Sequence, residues 1–193
     1  MCNFVPKFVS MSEKKDTKKL KIKSLLDEVR TQDTTKAKAA LQSLKIHGDI
    51  SVIEPLLHFQ ACPDGQEMKF DIHVFLADIH DDKAVAEFMR LLHEPTSSAY
   101  RVDLLNVLWN SKLDYSEHIS TFVEMAVEGD FLTAFECLTI IENLAGPFDE
   151  EAIIESQISL GQYATHPTKS AQKDQLISDI AVVIQAIERE IEG

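Results

Sequence analysis

The sequence predicts an all-α fold: a right-handed α-α superhelix built from stacked antiparallel helix pairs. Three observations predict it. Apolar residues recur at helical spacing along most of the 193 residues. A unit returns at offsets of 33, 34 and 34 residues, in VIEPLLHF (52–59), VAEFMRLL (85–92), ISTFVEMA (119–126) and IIESQISL (153–160). Short clusters of breaking residues separate the units, and no stretch alternates with period two for long enough to make a strand.

Taken in order, an opening helix over about 17–31 carries Leu20, Leu25, Leu26 and Val29. Four pairs follow, near 34–46 with 51–61, 66–79 with 82–93, 98–111 with 115–128, and 131–145 with 149–163. A helix over about 169–191 closes the chain. In first helices, Met68, Ile72, Phe75, Leu76 and Ile79 share one face, and Val102, Leu105, Leu108 and Trp109 repeat the pattern one unit later. In second helices, Val52, Val85, Ile119 and Ile153 open the apolar stripe. Leu56, Met89, Val123 and Gln157 continue it, and Phe59, Leu92, Ala126 and Leu160 end it. The connections CPDGQE, HEPTSS, EGD and THPT offer Asp64, Ser97 or Ser98, Asp130 and Thr168 as helix caps. One helix pair buries too little apolar surface to offset the ordering of its residues, so the units must stack. Residues 17–193 therefore read as one repeat domain behind a flexible basic segment, 1–16, with residues 1–10 a leader of no structural consequence.

The stretch GDISVIEPLL (48–57) tests this reading, because proline in mid-helix costs roughly 3 kcal/mol. If Ser51 is the N-cap, in a capping box with Glu54, then Pro55 falls in the first turn and the cost is tolerable. Asp49, Asp82 and Ser116 also align as cap-type residues two positions earlier, which favours a tight, 3-10-like first turn between the two starts. The alignment sets Pro55 with Phe88 and Phe122, facing inward.

GDISVIEPLL and its fainter echo HDDKAVAEFM (80–89) resemble the turn and second helix of HEAT-like repeats of the bacterial type, where a small residue and Asp precede a Val-x-Pro-Leu-like helix start. The resemblance covers about residues 34–163. It is carried mostly by periodicity in the third and fourth units. Asp114, two positions before the aligned cap, implies a longer third loop, and Ser156 and Gln157 at core positions imply an end cap. What the resemblance implies is a helical solenoid that holds other proteins, although some relatives act on bilins or alkylated DNA.

Charge narrows the function classes. Residues 1–50 hold 11 Lys/Arg against 6 Asp/Glu, whereas residues 51–193 hold 8 against 26. A body so acidic repels a phosphate backbone, which disfavours nucleic acid as a partner. No apolar run approaches the roughly 20 residues needed to cross a bilayer. Cys2, Cys62 and Cys137 are scattered and odd in number, fitting neither a disulfide framework nor a zinc site, and a reducing cytoplasm suits them.

Candidate chemistry is sparse. Asp78, His80, Asp81 and Asp82 in DIHDD are metal-ligand types, but they fall in an inter-helix turn where Asp serves as a cap. Seven histidines give no HExxH, and no GxxxxGK[ST] or GxGxxG occurs, so no enzyme, metal or cofactor is expected. Trp109 falls on an apolar stripe and reads as core, with Tyr100 and Tyr115 as weaker candidates for a recognition pocket. Lysines 14, 15, 18, 19, 21 and 23 read as a solvated tail.

One pattern points to a partner. Glu54, Glu87, Thr121 and Glu155 recur on the outward side of the second helices, with Arg90 and Glu124 nearby. Stacked, they make an acidic face suited to a basic peptide or protein. The expectation is a non-enzymatic cytoplasmic interaction module or scaffold, with homo-oligomerisation left open. Its rivals are a small-molecule-binding or lyase-type protein and an alkylated-DNA binder.

Overall fold

The computed structural model describes residues 11–165 and 171–192. Within these the chain is all-helical, with no strand. Its α-helices are α1 (Met11–Val29), α2 (Thr34–His47), α3 (Ile53–Ala61), α4 (Lys69–Ala77), α5 (Lys83–His93), α6 (Arg101–Asn110), α7 (Ile119–Glu128), α8 (Phe131–Asn143), α9 (Glu150–Thr165) and α10 (Ala171–Glu192). The leader expected over 1–10 and the cap expected at Thr168 lie outside the described residues. Residues 11–16, expected in a flexible segment, are helical. The chain forms two compact units, one ending at Phe75 and the other starting at Leu76.

Short 3-10 segments lead into several helices. Those at Pro63–Met68 and Pro95–Ala99 begin on a proline, whose absent N–H is not needed at a helix start. That at Ile50–Val52 explains Pro55. The chain enters helix at Asp49, not Ser51, and the Asp49 carboxylate accepts from Ser51 N and, at 2.5 Å, from the Ser51 hydroxyl. A tight turn then delivers Pro55 to the third residue of α3, where no intrahelical partner is required of it. Its ring is half-buried, while Phe88 and Phe122 at the aligned positions are fully buried.

In the first unit α1 packs on α2, and the buried stripe is Ile22, Leu25 and Val29. Leu20, expected on that stripe, is instead 69% exposed, because it lies across the helix from Ile22 and Val29. Gly48 and Gly129 end α2 and α7 just before Asp49 and Asp130. A Cβ would stand 2.5 Å from the Leu44 carbonyl oxygen and 2.7 Å from that of Met125, closer than a side chain allows. Asp130 caps α8 by accepting from Thr133 N, as the sequence predicts.

In the second unit alternate helices lie against one another. α6 packs on α8 and α8 on α10, while α7 packs on α9 and also on α8. The buried face of α7 holds Ile119, Phe122, Val123 and Ala126, with Tyr115 edge-on to Phe122 at 6.3 Å between ring centres. In the fourth unit Ser156 is fully buried and satisfied within its own helix, donating to the Ala152 carbonyl, and Gln157 and Leu160 are half-buried. Lys173 of α10 reaches the Val127 carbonyl in the last turn of α7 and the Gly129 carbonyl just beyond it. A cation there suits the negative end of a helix.

Candidate functional site

The expected acidic face begins on α3. Glu54 stands in the first turn of that helix, half-buried, with His58 Nε2 at 3.9 Å. It belongs to the first unit; the other five residues belong to the second.

On α5, Glu87 and Arg90 are brought together. Arg90 grips Glu87 with two bonds, Nε to Oε2 at 3.0 Å and Nη2 to Oε1 at 2.7 Å, and also donates Nη1 to Glu94. The i, i+3 and i, i+4 spacing fixes this geometry. A guanidinium between two carboxylates leaves one net negative charge, so Glu87 offers a partner less than its residue type suggests.

α7 and α9 supply the rest. Thr121 is half-buried, and Glu124 and Glu155 are exposed; among the described residues neither glutamate forms an ion pair. The outward side of α9 adds what sequence reasoning missed. Ile154 and Ile158 are 49% and 55% exposed, one turn apart, flanked by Glu151 and Glu155. The opposite side of α9 buries Ala152, Ile153 and Ser156. An apolar pair bordered by carboxylates is a surface for a basic, amphipathic segment.

The aromatic candidates resolve differently from expectation. Trp109 is not core: it is 39% exposed, at the edge of α6 beyond the buried Leu104, Leu105, Val107 and Leu108. Its indole N–H, which burial would have left in need of a partner, donates to Glu136 of α8 at 2.9 Å. Asn106 donates to the same carboxylate at 3.2 Å. Tyr100 and Tyr115 are buried, so neither lines a surface pocket. Burial pushes the Tyr115 phenol up to about 12, and its hydrogen bond with Ser111 acts the other way.

The DIHDD turn spends its groups on chain reversal. Asp81 accepts from Lys83 N, and His80 Nδ1 donates to the Asp78 carbonyl at 2.7 Å. The side-chain cap here is Asp81, one position before the aligned Asp82. Cys137 is fully buried, and burial first, then the nearby Glu136, pushes its thiol far up and away from nucleophilic reactivity.

The third turn corrects the alignment. Tyr115 holds the N-cap position, and Asp114, which the sequence sets two positions ahead of the aligned cap, supplies the side-chain acceptor. It accepts from Ser116 N at 2.9 Å and from the Ser116 hydroxyl at 2.6 Å, as Asp49 does from Ser51. The shared signal is Asp-x-Ser, in DIS (49–51) and DYS (114–116). Ser116 is buried, and its oxygen also accepts from Gly146 N at 3.1 Å, tying the third turn to the fourth. Gly146 has φ +72°, a left-handed conformation suited to glycine. No protein-family model, no curated protein and no solved structure matches the chain.

Proposed function

We propose that this chain is a non-enzymatic interaction module of the cytoplasm, a HEAT-like solenoid whose second helices present an acidic face to a basic peptide or protein. One observation carries the reading. α7 and α9 lie side by side, with Glu124 and Glu155 exposed and Ile154 and Ile158 offered between carboxylates. Layering of α6, α8 and α10 on one side and α7 and α9 on the other is the arrangement a two-layer stack requires, and it supports the solenoid. Carboxylates would steer and orient a lysine-rich segment, and the isoleucines would hold its apolar side.

The test is fluorescence anisotropy of a labelled, amphipathic Leu/Lys helical peptide. Reversing two exposed carboxylates, Glu124→Lys with Glu155→Lys, should weaken its binding at least about tenfold with helicity unchanged. Binding within about twofold of the unaltered chain would reduce the row to a solvated surface. Salt-sensitive binding of duplex DNA in preference to the peptide would favour the DNA-binding rival.

A further inference from the structure

The first unit carries a counterpart to the acidic strip on α9. A small groove of about 90 Å³ lies between α2 and α4. One edge is apolar: Phe70 and Val74, one turn apart on α4, are 75% and 45% exposed. The other edge is α2, where Lys38, Gln42 and Lys45 recur at i, i+4 and i+7 and share an exposed face. Asp71 pairs with Lys38 at 3.1 Å, so the groove keeps one positive charge in excess. The two helices together hold four lysines and one aspartate. An aromatic ring so open to water gains free energy when a partner covers it.

α9 has the same layout with the opposite sign. Ile154 and Ile158 make an exposed apolar row, and Glu151 and Glu155, also one turn apart, make an acidic row beside it. Among the described residues neither glutamate forms an ion pair. The helix holds three glutamates and no lysine or arginine. In both places the apolar pair is spaced by four residues, about 6 Å along a helix that rises about 1.5 Å per residue. Two such helices laid side by side bring both isoleucines onto Phe70 and Val74 at once.

We infer that the α2/α4 groove of one copy covers the α9 strip of another, with Ile154 and Ile158 against Phe70 and Val74 and the glutamates facing Lys38 and Lys45. Resting on the acidic face proposed above, this contact makes a second copy of the chain its basic partner. The two surfaces differ, so the contact runs head to tail and can propagate from copy to copy.

Sedimentation velocity of the full chain tests this. Its weight-average mass should rise with concentration and fall when salt goes from about 0.1 to about 1 M, which shortens the screening length from about 10 to about 3 Å. Phe70→Asp with Val74→Asp should weaken self-association at least about tenfold, and so should Ile154→Asp with Ile158→Asp. All four positions are exposed. Mixed in equal amounts, the two variants should form a one-to-one pair that grows no further, because each retains the surface the other lost. Charge reversal gives a second route. Lys38→Glu with Lys45→Glu, or Glu151→Lys with Glu155→Lys, should each abolish association, and all four changes in one chain should restore it. A wild-type chain that stays monomeric up to about 1 mM, an Asp variant that associates as wild type does, or a four-fold reversal that stays monomeric would each overturn the contact. Circular dichroism checks the folds, and the charge reversals keep the test intact if an Asp variant misfolds. Phe70→Asp with Val74→Asp leaves α9 untouched, so it should still bind the Leu/Lys peptide. A wild-type chain that binds this peptide through Glu124 and Glu155 yet stays monomeric refutes the self-contact and leaves the acidic face standing.

Discussion

Replacing Ser116 by alanine isolates what a tertiary contact adds to a local one. The wild-type hydroxyl donates to Asp114 and accepts from Gly146 N in a site only 2% exposed. Alanine removes the charge-assisted bond, worth about 1 kcal/mol net. It also leaves a half-buried N–H without its acceptor, which adds about 1 kcal/mol. The expected loss is about 2 kcal/mol, roughly a 30-fold change in the folding equilibrium. Ser51 offers the control. It makes the same two bonds to Asp49 but is exposed, where water replaces the lost partner, so Ser51→Ala should cost about 0.5 kcal/mol or less. Urea unfolding followed by circular dichroism measures both, and hydrogen exchange at the Gly146 amide should accelerate in Ser116→Ala alone. Equal costs for the two substitutions, or unchanged exchange at Gly146, would refute the reasoning.

Two further expectations concern the second unit. Phe122→Ala, which empties a fully buried site beside the Tyr115 ring, should destabilise by about 3–5 kcal/mol in the same unfolding assay, and a cost below about 1 kcal/mol would mean the site collapses freely. Acid should weaken the fold. The bonds from Ser116 hold the Asp114 carboxyl below its usual range, and those from Thr133 do the same for Asp130; such groups stabilise above about pH 4 and lose that contribution as pH falls through the lowered value. His118, lowered by burial, acts in the same direction below about pH 6.5, since its unfolded form binds the proton first. Relief of the net charge of −13 works the other way near the isoelectric point, so the measurement is a difference. The stability gap between wild type and Asp114→Asn with Asp130→Asn should shrink as pH drops from about 5 to about 3, and a gap that widens would contradict the assignment.

The helices were legible because amphipathic spacing is a property of the chain itself. Val52, Ile119 and Ile153 are buried and Val85, the remaining residue of that series, is half-buried, and Asp130 caps the helix it precedes. Pro55 likewise required a late helix start, which the 3-10 turn at Ile50–Val52 provides. Local chemistry settles such features: a proline, a glycine or an aspartate acts on backbone groups a few residues away.

Only the tertiary structure decided which residues stand at the margin of a stripe and which polar groups find distant partners. Trp109 and Leu20 carry apolar side chains at plausible helical spacing, yet both are exposed, because a helix buries only the arc its neighbours cover. Arg90 holds Glu87 and Glu94, Ser116 takes the amide of Gly146, and Lys173 crosses to the end of α7. Repeat spacing alone gave the row of glutamates equal weight. Which of them keeps its charge available depends on where a cation lies in space, and proximity across 30 or more residues is set by packing, not by sequence period.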